Sequence, residues 1–236
     1  MNEIKQIIKW TNDNCGFLSL LLFCATITYG WISGLFSSLI KKPKLKIRFI
    51  DKISFFSLFY TGEKYFNQEL NEEFELHKSA FVSYMSIANI GNMATTIDKI
   101  FLGYYKNKKY KFWNKKELVW LAQWHSVEPF KMNLKNGQII IAQSLRIANS
   151  VNDVNDRSHI GIGNSLVGIA YFEGITAWGN YNPLLNKNNK IDIKIKIRDI
   201  YGNNFIFKTE LKYLEIEKAR GFNPHFGSIE QISTVF

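Results

Sequence analysis

The longest stretch of this chain without a charged side chain runs from Asn14 to Ile40 and is closed by Lys41 and Lys42. Its core reads GFLSLLLFCATITYGWISGLFSSLI, which is apolar and is interrupted only by Ser, Thr and Gly. A helix needs about 20 consecutive apolar residues to cross the hydrocarbon core of a bilayer. Ser, Thr and Gly are tolerated in such helices. The sequence therefore predicts a transmembrane helix over residues 16–40, preceded by a short N-terminal tail over residues 1–15.

Two alternatives fit this run less well. A cleavable signal peptide has a basic start, a shorter apolar core and small residues at its cleavage site. Here Lys5 and Lys9 are balanced by Glu3 and Asp13, and the stretch before Lys41 does not resemble a cleavage site. A buried helix of a soluble protein normally carries a polar stripe, and this run has none wide enough.

The charges that flank the run predict its orientation. Only Lys5 and Lys9 precede it, whereas a cluster of cations follows it, and cytoplasmic flanks carry the excess of Lys and Arg. We therefore expect a single-pass protein of the cell inner membrane with a cytoplasmic domain over residues 43–236. Charge bias is a tendency, so the reverse orientation stays open. The following cations are Lys41, Lys42, Lys44, Lys46 and Arg48.

Composition limits what the domain can do. Both cysteines, Cys15 and Cys24, lie in or beside the apolar run, so residues 43–236 can form neither a disulfide framework nor a thiolate metal site. The formal net charge of the chain is +10. Such an excess favours anionic partners, lipid headgroups first and nucleic acid only second. The alternative is a Lys-rich surface that is merely solvated.

Strand-like runs dominate the domain. Residues 44–50 alternate charged and apolar side chains, the pattern of a half-buried strand. Asn and Gly between the runs supply tight turns, so we expect an antiparallel β-sandwich rather than a parallel α/β sheet. Residues 63–78 are acidic and are interpreted as an insertion or short helix; residues 115–125 fit a helix or a strand, and residues 214–220 predict a final helix. The other strand-like runs are 80–88, 95–105, 138–147, 166–172, 191–198 and 205–211.

One segment suggests a more specific fold. Residues 86–100, SIANIGNMATTIDKI, resemble the strand-turn-strand pattern of immunoglobulin-like β-sandwich domains in bacterial surface and membrane proteins. The stretches GIAYFEGITAWGN and IKIRDIYGNNF are similar to segments of uncharacterised bacterial single-pass membrane proteins. The resemblance implies an immunoglobulin-like sandwich behind one transmembrane helix, and it implies no activity. The inter-sheet disulfide of antibody domains is impossible here, because the domain lacks cysteine.

Small residues recur at every fourth position of the apolar run, at Thr26, Gly30, Gly34 and Ser38. Small residues on one helix face let two helices approach closely in a membrane. The pattern predicts a homo-oligomer formed through the transmembrane helix. The alternative is that such residues are simply common in spanning helices.

Lysines alternate with aromatic residues in the segment 104–116. Such a segment can lie at a headgroup interface or stack on nucleic-acid bases. It can equally be a hairpin whose aromatic residues are buried and whose lysines are solvated. We expect contact with an anionic membrane surface, and nucleic acid is the least expected partner. The candidate contact residues are Lys106, Lys108, Lys109, Lys111 and Trp113.

Two predicted strands carry cations on alternate residues. Lys194, Lys196 and Arg198 alternate with isoleucines, and Lys44, Lys46 and Arg48 alternate with apolar residues in the same way. Since the apolar side faces the core, both sets are predicted to face outward and together form a basic, membrane-facing surface. Lysines on edge strands also prevent aggregation between sheets, which is the competing structural explanation.

The sequence carries no recognisable catalytic motif. Its four histidines, His77, His125, His159 and His225, have no metal-site spacing. Glu173 near Trp178 fits either a carboxylate in an aromatic ligand pocket or, the commoner case, a strand-end Glu above a core Trp. We expect no catalytic residue, metal ion or cofactor. Three functions remain: a tethered scaffold that binds an anionic surface or an unknown protein partner, a ligand-gated effector that senses a nucleotide-like anion and oligomerises through its helix, and, least favoured, a tethered hydrolase.

Overall fold

The computed structural model describes residues 2–36, 41–107, 116–124, 128–134, 136–145, 158–174, 183–186 and 188–228. The chain divides into two compact units, Met1–Lys42 and Pro43–Phe236.

The first unit contains two helices, α1 (Asn2–Asp13) and α2 (Cys15–Ile32). By length and composition α2 can cross a membrane, with a mean hydropathy of 1.7, and a signal sequence would meet the same criterion. It ends at Ile32, Gly34 adopts a φ of +74°, and the backbone is helical again at Leu35 and Phe36; residues 37–40 of the predicted span lie outside the described residues. The segment predicted as a tail is helical over most of its length.

The second unit is mainly β, as the sequence predicted. In the described part of the chain one sheet has the strand order β1-β3-β2-β11-β10-β4-β5, with β8 paired to β4 and β9 paired to β3, and a separate small sheet joins β6 to β7. A short 3-10 turn, Asp51–Ile53, separates β1 from β2, and α3 (Ile216–Arg220) follows the last strand. The strands are β1 (Leu45–Phe49), β2 (Phe55–Asn67), β3 (Glu72–Asn89), β4 (Thr95–Asn107), β5 (Lys116–Ala122), β6 (Phe130–Asn133), β7 (Ile139–Ala142), β8 (His159–Ile160), β9 (Ser165–Glu173), β10 (Lys190–Asp199) and β11 (Asn204–Tyr213).

The main sheet is mixed, so the expectation of a wholly antiparallel sheet is corrected. β11 pairs with β2 in parallel, with Lys212 opposite Phe55 and Tyr213 opposite Phe56. A tight hairpin forces its two strands to be antiparallel. β2 and β11 lie far apart in the sequence and share no hairpin, so nothing in the local sequence fixes their relative direction.

Two apolar clusters lie on opposite faces of β3. The larger cluster joins inward side chains of β3 and β9 to those of β4 and β10, including Phe81, Phe172, Leu102 and Ile195, all fully buried. The isoleucines of β10 enter this core because alternate residues of a strand face the same side. The strand therefore turns its Lys and Arg residues outward, whereas Asp199 at its end is buried.

The second cluster covers the other face of β2, β3 and β9. Phe55, Val82 and Tyr171 meet Phe130 of β6 and Phe226 of the segment after α3. The ring centroids of Phe55 and Phe226 are 5.4 Å apart, and those of Tyr171 and Phe226 are 5.6 Å apart. The C-terminal segment thus completes a core rather than hanging free.

The acidic segment 63–78 is not helical. It belongs to the long hairpin of β2 and β3, in which Tyr65 lies opposite Phe74 and Phe66 lies opposite Glu73. The intrinsic propensity of Glu favours a helix. The aromatic residues of this segment favour a strand, and the pairing between the two strands outweighs the helix propensity of Glu. Residues 116–122, whose helix or strand character the sequence left open, form β5.

Candidate functional site

The outward side of β10 and its neighbours carries several cations, together with the carboxylates of Asp192 and Glu210. We define the basic face as the last three outward cations of β10 together with one outward Lys each from β11 and β4. These residues are Lys194, Lys196, Arg198, Lys208 and Lys99.

Cations lie directly opposite one another across this face. Lys194 is paired with Lys208, and Arg198 is paired with Lys99. Like charges directly opposite on adjacent strands destabilise a sheet by a few tenths of a kcal/mol or more. Arg198 is relieved by Asp98, whose Oδ2 lies 3.2 Å from its Nε. Within the described residues Lys194 and Lys208 have no carboxylate at ion-pair distance, while Asp192 and Glu210 form the next outward pair along the same two strands.

Aromatic rings support the lysines of β10. The Nζ of Lys196 lies 4.5 Å from the ring centroids of both Phe101 and Trp120, and the Nζ of Lys194 lies 5.4 Å from that of Tyr105. Cations are attracted to the faces of such rings. The ammonium groups are therefore held over a half-buried apolar floor.

Gly103 makes room for that floor. A Cβ atom at this position would lie 2.9 Å from ring atoms of Trp120. The missing side chain lets the indole lie across β4 beside Lys196. Sequence reasoning missed Gly103, Trp120 and Lys208, because their roles depend on the pairing of β4 with β5 and of β10 with β11. The sequence offered one signal for this contact: a Gly within a strand-like run often marks a place where another part of the chain approaches the backbone closely.

The structure separates the cations that the sequence grouped together. Lys44, Lys46 and Arg48 lie exposed on or beside β1, which pairs with β3 and not with β10. The two basic strands are thus not neighbours, which corrects the expectation of one continuous surface. Lys41 and Lys42 are exposed in the first unit.

The aromatic and basic segment after β4 is described only in part. Lys106 lies 3.7 Å from Glu117, and its side chain is 13 % exposed. It is therefore an ion-paired, largely covered residue. Lys108, Lys109, Lys111 and Trp113 lie outside the described residues.

The predicted stripe of small residues is not continuous on α2. Thr26 and Gly30 lie on the helix, whereas Gly34 follows its end. Gly30 is already covered, because a Cβ there would lie 2.7 Å from the Phe36 ring. Ser38 lies outside the described residues. Association through this helix stays a prediction.

A buried polar group lies at the end of β9. Tyr171 donates a hydrogen bond to Glu173 Oε2 at 2.7 Å, and Lys78 Nζ lies 3.6 Å from Glu173 Oε1. The Tyr171 hydroxyl also accepts the N–H of Gly227 at 3.2 Å. Burial raises the pKa of the Glu173 carboxyl, while the hydrogen bond from Tyr171 and the charge of Lys78 oppose that rise. Burial, and then the charge of Glu173, raises the pKa of Tyr171.

These contacts fit a structural role better than a catalytic one. They join β3, β9 and the C-terminal segment, and Trp178 lies outside the described residues. In the part of the chain that the structure describes, no three His, Cys, Asp or Glu residues are placed to hold a metal ion. A separate cavity of about 290 Å³ is lined by Tyr84, Leu145, Val167 and neighbouring residues, none of them charged.

Comparisons with known proteins add little. No protein-family model matches the sequence, and no curated protein matches it. The chain is similar to the structure of the ApaA protein from Bordetella pertussis, at 10 % identity and a TM-score of 0.27, covering 74 % of this chain and 97 % of that one. It is similar to the structural-genomics target SoR45 at 11 % identity and a TM-score of 0.25, covering 72 % and 85 %. It is also similar to the Iho670 flagellar-like filament at 12 % identity and a TM-score of 0.21, covering 85 % and 97 %. Similarities this low carry no argument about function.

Proposed function

We propose that the protein is a non-enzymatic interaction module that is anchored in the inner membrane by α2 and binds anionic lipid headgroups through its basic face. The observation that carries the proposal is the direct opposition of Lys194 and Lys208, neither of which has a carboxylate at ion-pair distance in the described residues. An anion placed between the two ammonium groups removes their repulsion. A surface with no anionic partner gains nothing from this arrangement.

Lipid is the favoured source of that anion. An anchored domain meets headgroups before any other anionic surface, and the sequence leaves only a short connection between Ile32 and Leu45. Each Lys or Arg near an anionic leaflet contributes on the order of 1 kcal/mol. The aromatic floor of Phe101, Trp120 and Tyr105 suits an interface where apolar and charged groups meet.

The finer features belong to the same proposal. The excess of cations after α2 supports a single-pass protein with residues 43–236 in the cytoplasm. The core formed between β3/β9 and β4/β10 supports an immunoglobulin-like sandwich. No observation favours the nucleotide-sensing effector, because the cavity described above is lined by no Lys or Arg.

The test measures how close the basic face lies to lipid. A fluorophore is attached at Asn204→Cys, an exposed position at the start of β11, in full-length protein with Cys15→Ser and Cys24→Ser. The protein is reconstituted in vesicles that contain an acceptor-labelled lipid. We expect energy transfer to rise when about one fifth of the phosphatidylcholine is replaced by phosphatidylserine, and to fall again as salt screens the interaction.

The variant Lys194→Glu with Lys208→Glu should abolish that rise. Lys52→Glu with Lys131→Glu, two exposed residues elsewhere in the domain, changes the net charge by the same amount and should leave the rise intact. Equal transfer with and without phosphatidylserine, or a rise that persists in the Lys194/Lys208 variant, would refute lipid binding by this face.

A further inference from the structure

The hairpin of β2 and β3 extends beyond the rest of the sheet. β9 pairs with β3 only from Ala80 onward, and β11 pairs with β2 only at Phe55 and Phe56. Among the described residues, the outer part of the hairpin therefore forms a two-stranded ribbon without a third strand. We define the acidic ribbon as residues 63–75.

The charge of the acidic ribbon is opposite to that of the whole chain. It carries five Glu and one Lys, a net charge of −4, in a protein of net charge +10. Its single Lys is used internally, since Lys64 Nζ lies 3.1 Å from Glu73 Oε2. Glu69 and Glu72, at the tip, have no ion pair among the described residues.

The tip is also apolar and well defined. Leu70 is 61 % exposed and Phe66 is 50 % exposed. Asn71 has a φ of +53°, and the side chain of Asn67 accepts the N–H of Glu69 at 2.9 Å, so the turn has a fixed shape. The tip thus presents apolar side chains flanked by carboxylates.

The basic face presents the complementary pattern. Ile206, which is 55 % exposed, lies opposite Lys196 and beside the Lys194–Lys208 pair. Exposed apolar surface beside the opposed Lys194 and Lys208 matches exposed apolar surface beside Glu69 and Glu72, and none of these four residues has an ion pair among the described residues. Such complementarity of charge gives specificity and speed of association.

The acidic ribbon of a chain does not reach the basic face of the same chain. β2 runs parallel to β11, and the ribbon continues β2 beyond the residue at which β11 ends, Tyr213. Lys208 lies in the opposite direction along β11. The ribbon therefore leads away from the basic face of its own chain, and a second copy is the occupant that fits.

We infer that the tip of the acidic ribbon of one copy docks on the basic face of another copy. Because both surfaces exist on every chain, the contact either closes reciprocally in a dimer or continues head to tail. This inference rests on the proposed function, because it uses the same basic face. It adds a second anionic ligand, the acidic ribbon, which competes with lipid for that face. Anionic lipid and the ribbon of a neighbour bind the same lysines, so lipid regulates assembly.

The test uses full-length donor-labelled and acceptor-labelled protein in vesicles of phosphatidylcholine alone, in which no anionic lipid occupies the face. Two variants are compared, a ribbon variant, Glu69→Lys with Glu72→Lys, and a face variant, Lys194→Glu with Lys208→Glu. We expect each alone to weaken energy transfer between copies by about tenfold in apparent affinity, which corresponds to about 1.4 kcal/mol. Neither variant touches a buried side chain.

Mixing the two variants restores attraction, because the reversed ribbon then meets the reversed face. We expect transfer between the ribbon variant and the face variant to return toward the wild-type level. The matched controls, Asp51→Lys with Glu217→Lys and Lys46→Glu with Arg48→Glu, reverse equal charge at exposed positions elsewhere and leave transfer unchanged. Unaltered transfer in the ribbon variant, or no recovery in the mixture, overturns the inference.

Failure of this inference is distinguishable from failure of lipid binding. The ribbon variant keeps an intact basic face, so its response to phosphatidylserine in the lipid assay tests the proposed function alone. If the ribbon variant still binds anionic vesicles and shows no loss of self-association, docking between copies is refuted and lipid binding by the basic face is retained. Added phosphatidylserine should lower wild-type transfer between copies, and unchanged transfer would contradict competition for one surface.

Discussion

At the scale of single residues, Glu173 carries a buried carboxyl whose pKa is shifted by its surroundings. Its neighbours Tyr171 and Lys78 offset only part of the cost of burying its charge, so its pKa lies above the usual value near 4.5. A raised pKa means that the folded protein binds the proton more tightly than the unfolded chain does. The resulting stabilisation is complete below the unfolded-state pKa and is lost as pH rises through the folded-state pKa.

We therefore expect Glu173→Gln to change the pH dependence of stability. The amide keeps an oxygen that can accept the Tyr171 hydrogen bond and carries no charge. Relative to the variant, the wild type should lose thermal stability as pH rises above about 4.5. Melting temperatures of both proteins in detergent between pH 4 and pH 8 measure the difference, with Gln68→Ala, an exposed site without a titratable group, as control. Parallel curves would show that Glu173 does not titrate in this range.

The residue scale also shows what sequence could predict of the site. The Lys and Ile alternation of residues 193–198 was sufficient to predict that Lys194, Lys196 and Arg198 face outward. The opposition of Lys194 to Lys208 was beyond prediction, because it depends on the register of β10 against β11. The role of Gly103 required knowing that Trp120 lies opposite it on β5.

At the scale of elements, the segment after α3 contributes more than its irregular backbone suggests. Phe226 is fully buried and contacts rings from β2 and β9. Asn223 donates from its side chain to the carbonyl of Glu128 at 3.2 Å, which fixes the segment beside β6. This part of the chain therefore closes the second apolar cluster.

Phe226→Ala should destabilise the domain by about 3–5 kcal/mol, because it removes a large buried ring and leaves a cavity. His225→Ala, one residue away and exposed, should change the free energy of unfolding by no more than about 0.5 kcal/mol. Denaturant unfolding in detergent, followed by circular dichroism, compares the two. A loss below about 1 kcal/mol in Phe226→Ala would mean that the segment is not part of the core.

Elements also explain the errors of the sequence analysis. The acidic segment 63–78 contains Glu residues, which favour helices. Its two halves nevertheless pair with each other across the hairpin of β2 and β3, and this pairing stabilises strands. The break in the predicted span at Ser33 and Gly34 could not be predicted, because hydropathy does not register a positive φ. Long strands such as β10 were predictable, because the alternation of charged and apolar residues in the sequence has the same period of two as the alternation of exposed and buried side chains.

At the scale of the whole molecule, the orientation of the chain is the property that most affects function. The cations after α2 predict that residues 43–236 remain in the cytoplasm. A green fluorescent protein fused to the C-terminus should fluoresce, and alkaline phosphatase fused there should be inactive. Reversing the flank with Lys41→Glu and Lys42→Glu should reduce this bias. Active phosphatase in the unaltered fusion would place the basic face on the other side of the membrane.

The parallel pairing of β2 with β11 has a consequence for how the domain forms. Ser57 of β2 donates its hydroxyl to the carbonyl of Leu214, 157 residues further along the chain. Contacts of such long sequence separation form slowly, because a large loop must close first. During synthesis β2 therefore precedes its parallel partner by about 150 residues. Truncation shortly before β11 would therefore leave an open edge beside β2 and a nascent chain exposed to chaperones and proteases.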